Sequence, residues 1–345
     1  MNRGWREHPL IQLTLVRFRE FIREPEALFW VFVFPVLLAA GLGLAFRNRP
    51  ADVLTVAATS PQLAEALRQD KGLAVEQLTA GAAAEQLRTG KVVLVAAPAP
   101  SGGVQYSFDD TNPEGRTARM LADADIERAA GRTNIVPSRD RLMREPGSRY
   151  IDFLIPGLLG MNLMGSAIWG MGFAIVDARR KNLMKRLVAT PMPRSYYLLS
   201  FVLSRLGLLV AEVGLVVGFG VVIFGVPVRG SLADLTALCV LSSLSFSALG
   251  LLIASRARTI EAASGLMNVA MMPMWIVSGV FFSSQRFPDF LQPVIQALPL
   301  TAAIDALRLN MLQGGGLARV GGQMVILAVW MVASFAVAMK MFRWR

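Results

Sequence analysis

Arg205 and Glu212 are the side chains whose types and spacing first point to chemistry. They stand seven positions apart in a block, 196–225, that is otherwise apolar or small. In a helix that spacing puts both on one face, two turns apart. Charges in such surroundings are expensive, and where they serve a function they mark ion, proton or substrate pathways. The plainer reading, which we take, is that Arg205 snorkels toward the interface while Glu212 faces a polar interior between helices. Asn162, Asn268 and Asn310 are further polar residues in or near apolar stretches. Hydrogen bonds between helices account for residues of that kind.

Other chemistries fail on the inventory. His8 is the only histidine, so neither a histidine-based triad nor a zinc site can be assembled. Cys239 is the only cysteine, which excludes a disulfide within the chain. Gly90-Lys91 is followed by Val92 and lacks the upstream glycine of a phosphate-binding loop. Asp109-Asp110 resembles part of a metal turn, but two acids without a wider ligand set read as turn residues before Asn112-Pro113. No catalytic, cofactor or metal site is expected in this chain, and any energy for uphill movement comes from elsewhere.

The elements around these residues are bilayer-sized. Residues 27–46, 151–176, 196–225, 232–255, 260–282 and 321–341 form six apolar blocks. A helix of about 20 residues crosses the hydrocarbon core. The formal net charge of +11 would suggest nucleic acid in a soluble chain. Here the basic residues fall into segments that alternate with the blocks. Arg3, Arg6, Arg17, Arg19 and Arg23 precede the first, Arg179 to Arg194 follow the second, Arg256 and Arg258 follow the fourth, and Lys340, Arg343 and Arg345 close the chain. The positive-inside rule makes that side cytoplasmic. The expected topology has six spans in the cell membrane, a bacterial inner membrane, with both termini cytoplasmic. The lipid bilayer is a partner and nucleic acid is not.

Residues 1–26 carry an amphipathic helix over 8–23, too polar to cross and suited to the interface. The polar stretch 47–150 reads as an α/β domain outside the membrane. Strands are expected at 53–57, 91–96 and 104–108, and helices at 62–69, 82–88 and 114–131. Within 151–345, Pro288, Pro293 and Pro299 break an apolar stretch into short helices, which predicts a re-entrant hairpin over 283–313. Methionines gather in the second and fifth blocks, where thioethers suit either ordinary packing or a promiscuous apolar surface. The fold class is therefore a mainly α membrane protein of six transmembrane helices, with an extracytoplasmic α/β domain between the first two.

The segment 177–195 is the most informative short stretch. Leu183, Leu187 and Val188 share one helical face, and Arg179, Arg180, Lys181, Lys185 and Arg186 add charge. By itself it fits a basic interfacial helix or a docking helix. Lys185-Arg186-Leu187-Val188-Ala189-Thr190-Pro191-Met192 resembles the first cytoplasmic loop of type-2 ABC exporter permeases. Ser278-Gly279-Val280-Phe281-Phe282, Phe287-Pro288, Leu298-Pro299-Leu300 and Asp305-Ala306-Leu307-Arg308 resemble that family's signature after its fifth span.

The resemblance implies an export permease energised by a separate pair of ABC ATPase subunits, which bind ATP and Mg, and a second permease copy or paralogue. It implies that Arg179, Arg180, Lys181, Leu183, Lys185, Arg186 and Leu187 couple to the ATPase. The amphipathic start would touch the ATPase too, and the second and fifth spans would line the path between protomers. Phe281, Phe282, Phe287, Pro288, Pro299, Asp305 and Arg308 would build the exit hairpin. The family's glutamate-rich entry followed by Gly-Thr is missing here, where Asp177 leads into Arg179-Arg180-Lys181-Asn182. A contact built on that glutamate does not carry over. The cargo implied is an apolar or amphipathic solute: a drug, lipid or metabolite. Two other classes fit the residues alone: a membrane-anchored sensor whose external domain binds a ligand, and a secondary transporter with Glu212 as its coupling charge.

Overall fold

The computed structural model describes residues 8–47, 53–69, 72–100, 102–132, 149–181, 193–257 and 259–341. The chain divides into two compact units, Met1–Arg47 with Met143–Arg345, and Asn48–Leu142. The first unit begins with α1, Pro9–Ile22. A tight turn leads into α2, Pro25–Leu28, then a π-helical turn, Phe29–Val33, and α3, Phe34–Arg47. Together these last three make the first span. The π turn ends two residues before Pro35, which lacks the N–H its helix needs.

The second unit is a mixed sheet with helices on both faces. It runs β1, Leu54–Ala58; α4, Pro61–Leu67; β2, Leu73–Gln77; α5, Ala80–Arg88; β3, Leu94–Pro98; β4, Val104–Phe108; and α6, Pro113–Ala129. The strand order is β2-β1-β3-β4. The first three strands are parallel, and β4 returns antiparallel on β3. Helix starts are written locally. Ser60 Oγ accepts from Leu63 N at 3.3 Å ahead of Pro61, and Asn112 Oδ1 accepts from Glu114 N at 2.9 Å ahead of Pro113. Alternation along β1 sorts the core: Val56 and Ala58 pack with Leu67, Leu94 and Ala118 on one face, Ala57 with Ala83 and Val95 on the other. Asp109 Oδ1 accepts from Thr111 N at 2.8 Å and Thr111 Oγ1 at 2.7 Å, an Asx turn that holds its carboxyl below the usual range. The strand β2 is an addition to the sequence expectation.

Tyr106 ties β4 to α6. Its hydroxyl donates to Asp123 Oδ1 at 3.1 Å, and the Arg119 guanidinium, 3.0 Å from Asp123 Oδ2, lies 4.1 Å over the ring. Burial first, and then the Asp123 carboxylate, push the phenol up to about 12. A raised value means that the folded domain favours the protonated phenol. The resulting stability is complete below the unfolded value of 10.0 and is lost as pH rises through about 12. Tyr106 is the sole tyrosine in 48–142. Ultraviolet titration of that domain should therefore show phenolate forming near 12, with Asp123→Asn returning part of the shift. An ordinary phenol titration in the folded domain would refute the assignment.

The rest of the first unit is α7, Tyr150–Arg180; α8, Arg194–Phe224; α9, Leu232–Arg256; α10, Ile260–Val277; α11, Gln292–Ala297; α12, Pro299–Gln313; and α13, Gly321–Met341. Six helices among the described residues are long and apolar enough to cross a membrane. The chain is thus mainly helical, with a mixed-sheet domain inserted between its first two spans. The fifth span is shorter than the 260–282 expected: α10 stops at Val277, and Gly279 turns the chain at φ 85°. Asp289–Ala297 then meets α12 at 83°.

α7 is the hub, enclosed by α3, α8, α9, α10 and α12. Its buried Leu154, Leu158, Leu159, Leu163 and Ile168 fill the centre. Close approach relies on glycine. A Cβ on Gly157 would lie 2.5 Å from the carbonyl oxygen of Val280, and one on Gly250 would lie 2.8 Å from that of Ile168. Met267 is fully buried and reaches into the notch at Gly172, so this thioether is packing material.

Candidate functional site

The two charges of the third span face each other. Arg205 Nη1 donates to Glu212 Oε1 at 2.7 Å and Nη2 donates to Oε2 at 3.0 Å. Glu212 is fully buried and Arg205 is 9% exposed, so Arg205 turns inward rather than snorkelling. Two serines complete the cluster. Arg205 Nε donates to Ser243 Oγ of α9 at 2.9 Å, and Nη2 lies 2.8 Å from Ser166 Oγ of α7. Ser166 Oγ also lies 2.9 Å from Glu212 Oε2. Charge is balanced and the guanidinium fork is engaged on three nitrogens, which is how a buried ion pair becomes tolerable. Both oxygens of Glu212 already accept hydrogen bonds, which weighs against its serving as the coupling charge of a secondary transporter.

One turn before Ser166, Asn162 Nδ2 donates to the carbonyl of Val31 at 3.1 Å. Val31 is four residues before Pro35, so its carbonyl lacks the usual helix donor, and Asn162 supplies one from a neighbouring span. Asn268 is elsewhere, on the exposed face of α10. The structure therefore brings Asn162, Arg205 and Glu212 into one region and leaves Asn268 apart.

At one end of the bundle Arg179 is already occupied. Its Nη1 donates to the carbonyls of Ala254 and Ala257 at 3.2 and 3.0 Å, capping the C-terminus of α9. Lys181 pairs with Asp177 at 2.7 Å, and Arg180 approaches the same carboxylate at 4.0 Å. Leu183, Lys185, Arg186 and Leu187 lie outside the described residues. The helix α1 packs on the first half of α8. The Arg17 guanidinium lies 4.0 Å over Phe201, and the Phe18 ring fills the space beside Gly207.

At the other end, side chains bind the start of α7 to the chain after α10. Tyr150 Oη donates to the carbonyl of Phe281 at 3.0 Å. Arg308 donates to the carbonyls of Gly279 and Phe153, the latter at 3.2 Å, and lies 3.5 Å over the Phe153 ring. Asp305 sits one turn earlier on α12. Phe282 and Phe287 have ring centroids 5.9 Å apart, and Gln292 Nε2 donates to the Phe287 carbonyl at 2.9 Å. Pro288 caps the turn Asp289–Leu291, and Pro299 opens α12.

Sequence reasoning missed Arg149 and Asp152. Arg149 Nη2 donates to Asp152 Oδ1 at 2.7 Å and to the carbonyl of Gly225 at 3.1 Å. The Asp152 carboxylate holds the guanidinium above its ordinary value. The i, i+3 spacing of an arginine and an aspartate just ahead of an apolar block was the available signal. Ser166 and Ser243 carried none, because single serines are common in apolar helices. Among the described residues, no group of three or more His, Cys, Asp or Glu is placed to hold a metal ion.

These features define a multi-pass membrane protein whose packed helices are tied to one another by a few buried polar side chains. The family model for ABC-2 type transporters matches residues 119–312, more than half of the chain. The chain belongs to that family and is one of its membrane permeases. It is similar to ABC transporter G family member 20 of Dictyostelium discoideum, 28% identical over 172 residues, half of this chain and 24% of that one. It is also similar to the inner membrane transport permease YadH of Escherichia coli K12, 26% identical over 186 residues, 52% of this chain and 69% of that one. The match thus spans about a quarter of the Dictyostelium relative's length.

Proposed function

We propose that this chain is the membrane subunit of an ATP-driven exporter that moves an apolar or amphipathic solute out of the cytoplasm. The observation that carries this is the ABC-2 match over 119–312. ATP and Mg are then bound by a separate pair of ATPase subunits, and a second permease copy or paralogue completes the path. The end bearing α1 and residues 177–195 is cytoplasmic, as are both termini, and the inserted domain is outside. Arg179 serves as a helix cap in this arrangement, which leaves docking to the basic residues beyond it. The free face of α10, with Leu266, Asn268, Val269, Met272 and Ile276 exposed, is offered to the path, whereas α7 is largely enclosed by its own bundle.

Lys185→Glu with Arg186→Glu tests the docking. Like charges brought together cost several kcal/mol, so ATPase co-purification and ATP-dependent export should each fall at least tenfold. Unchanged values for both would remove the docking role from this segment.

A further inference from the structure

The third span is held at three levels. Over its first half α1 grips it, with the Arg17 guanidinium 4.0 Å over the Phe201 ring and the Phe18 ring beside Gly207, which stands between the two charges. In the middle, Arg205 and Glu212 reach Ser166 of α7 and Ser243 of α9. Just past its end, the Gly225 carbonyl accepts from Arg149, which is fixed to Asp152 in the first turn of α7. The middle contact is chemically unexpected. A buried ion pair contributes little net stability compared with well-packed apolar side chains of similar volume, so packing alone does not call for it. What it adds is direction. Apolar faces can slide past one another by small shear steps, but a guanidinium engaged at Nε, Nη1 and Nη2 fits one axial offset. Because Arg205 and Glu212 are on the same helix, it is the two serine hydroxyls that, among the described residues, tie the pair to α7 and α9.

We propose that Arg205 and Glu212, acting through Ser166 and Ser243, form a register lock that makes α7, α8 and α9 one rigid body. A push on α8 where α1 holds it then arrives at the Arg149–Gly225 contact without being absorbed by sliding. The four are positioning residues.

The test uses the full chain with Cys239→Ser and a cysteine pair, Ile155→Cys with Gly220→Cys. These positions touch across α7 and α8, since a Cβ on Gly220 would lie 3.0 Å from the Ile155 side chain. Gly207→Leu supplies the push by displacing Phe18, and Gly207→Ala is the milder form should leucine prevent folding. With the serines present, the push should leave the rate of oxidative cross-linking at 155–220 within twofold. In Ser166→Ala with Ser243→Ala, the same push should lower it at least fivefold. A fivefold fall with the serines present would overturn the lock. So would an unchanged rate without them, because packing alone would then set the register. The readout needs neither an ATPase nor a cargo, so it stands or falls apart from the transport reading.

Discussion

Valine at Gly157 or at Gly250 is expected to cost the bundle about 3 kcal/mol. Both glycines meet backbone. A Cβ at Gly157 would lie 2.5 Å from the Val280 oxygen and 3.2 Å from its Cα, and one at Gly250 would lie 3.0 Å from the Ile168 Cα. No rotamer change can relieve such contacts, so one helix or turn must move as a whole. Gaining a side chain in a helix returns at most about 1 kcal/mol, well short of that cost. Gly170 is the control, because nothing stands within 4 Å of its Cβ position. Alanine there should be neutral or stabilising by up to about 1 kcal/mol. Thermal unfolding of the purified protein in detergent, followed by gel filtration, reads all three. Equal melting temperatures for the Gly157 and Gly170 variants would show that α7 does not press on Val280.

Arg308→Met should release the segment after α10. It removes the charged hydrogen bonds to Gly279 and Phe153 and the stacking on the Phe153 ring. Bonds from a charged donor contribute about 1.5–3 kcal/mol each, and stacking of a cation on a ring adds about 1 kcal/mol. These terms share one side chain and do not add fully, so we expect a loss of about 3 kcal/mol. Arg308→Lys keeps the charge but lacks the fork, and should recover less than half. Val280 is fully buried. In a Cys239→Ser background, maleimide labelling of Val280→Cys should rise at least tenfold with Arg308→Met. Labelling unchanged by that substitution would mean that Arg308 does not hold the turn.

The six apolar blocks were legible because a bilayer-sized run of apolar residues needs only length and composition to be recognised. The inserted domain was legible in part. Val92, Val93 and Val95 around the start of β3 and the turn at Asp109 have local signals, whereas Leu73–Gln77 is an edge strand whose Glu76 and Gln77 are exposed, so its apolar pattern is short. The pairing of Arg205 with Glu212 was out of reach for a different reason. Spacing placed them on one face, but their meeting depends on Ser166 and Ser243, which belong to other helices. Arg179 misled in the opposite way. A basic residue beyond a span looks free for a partner, yet the unfilled carbonyls of Ala254 and Ala257 claim it. The end of α10 was misplaced because Phe281 and Phe282 extend the apolar run past the turn at Gly279.

The chain leaves the bundle after α3 and returns at α7 through helices that touch. A Cβ on Gly43 would come within 3.0 Å of the Ile151 side chain. A segment whose two ends are rooted side by side places little demand on its host. Residues 48–142 are in that sense a graft: a short glycine-serine tether could replace them, and a differently folded domain could take their place, with the six spans still able to find one another. The inserted piece can then be exchanged while the spans are kept.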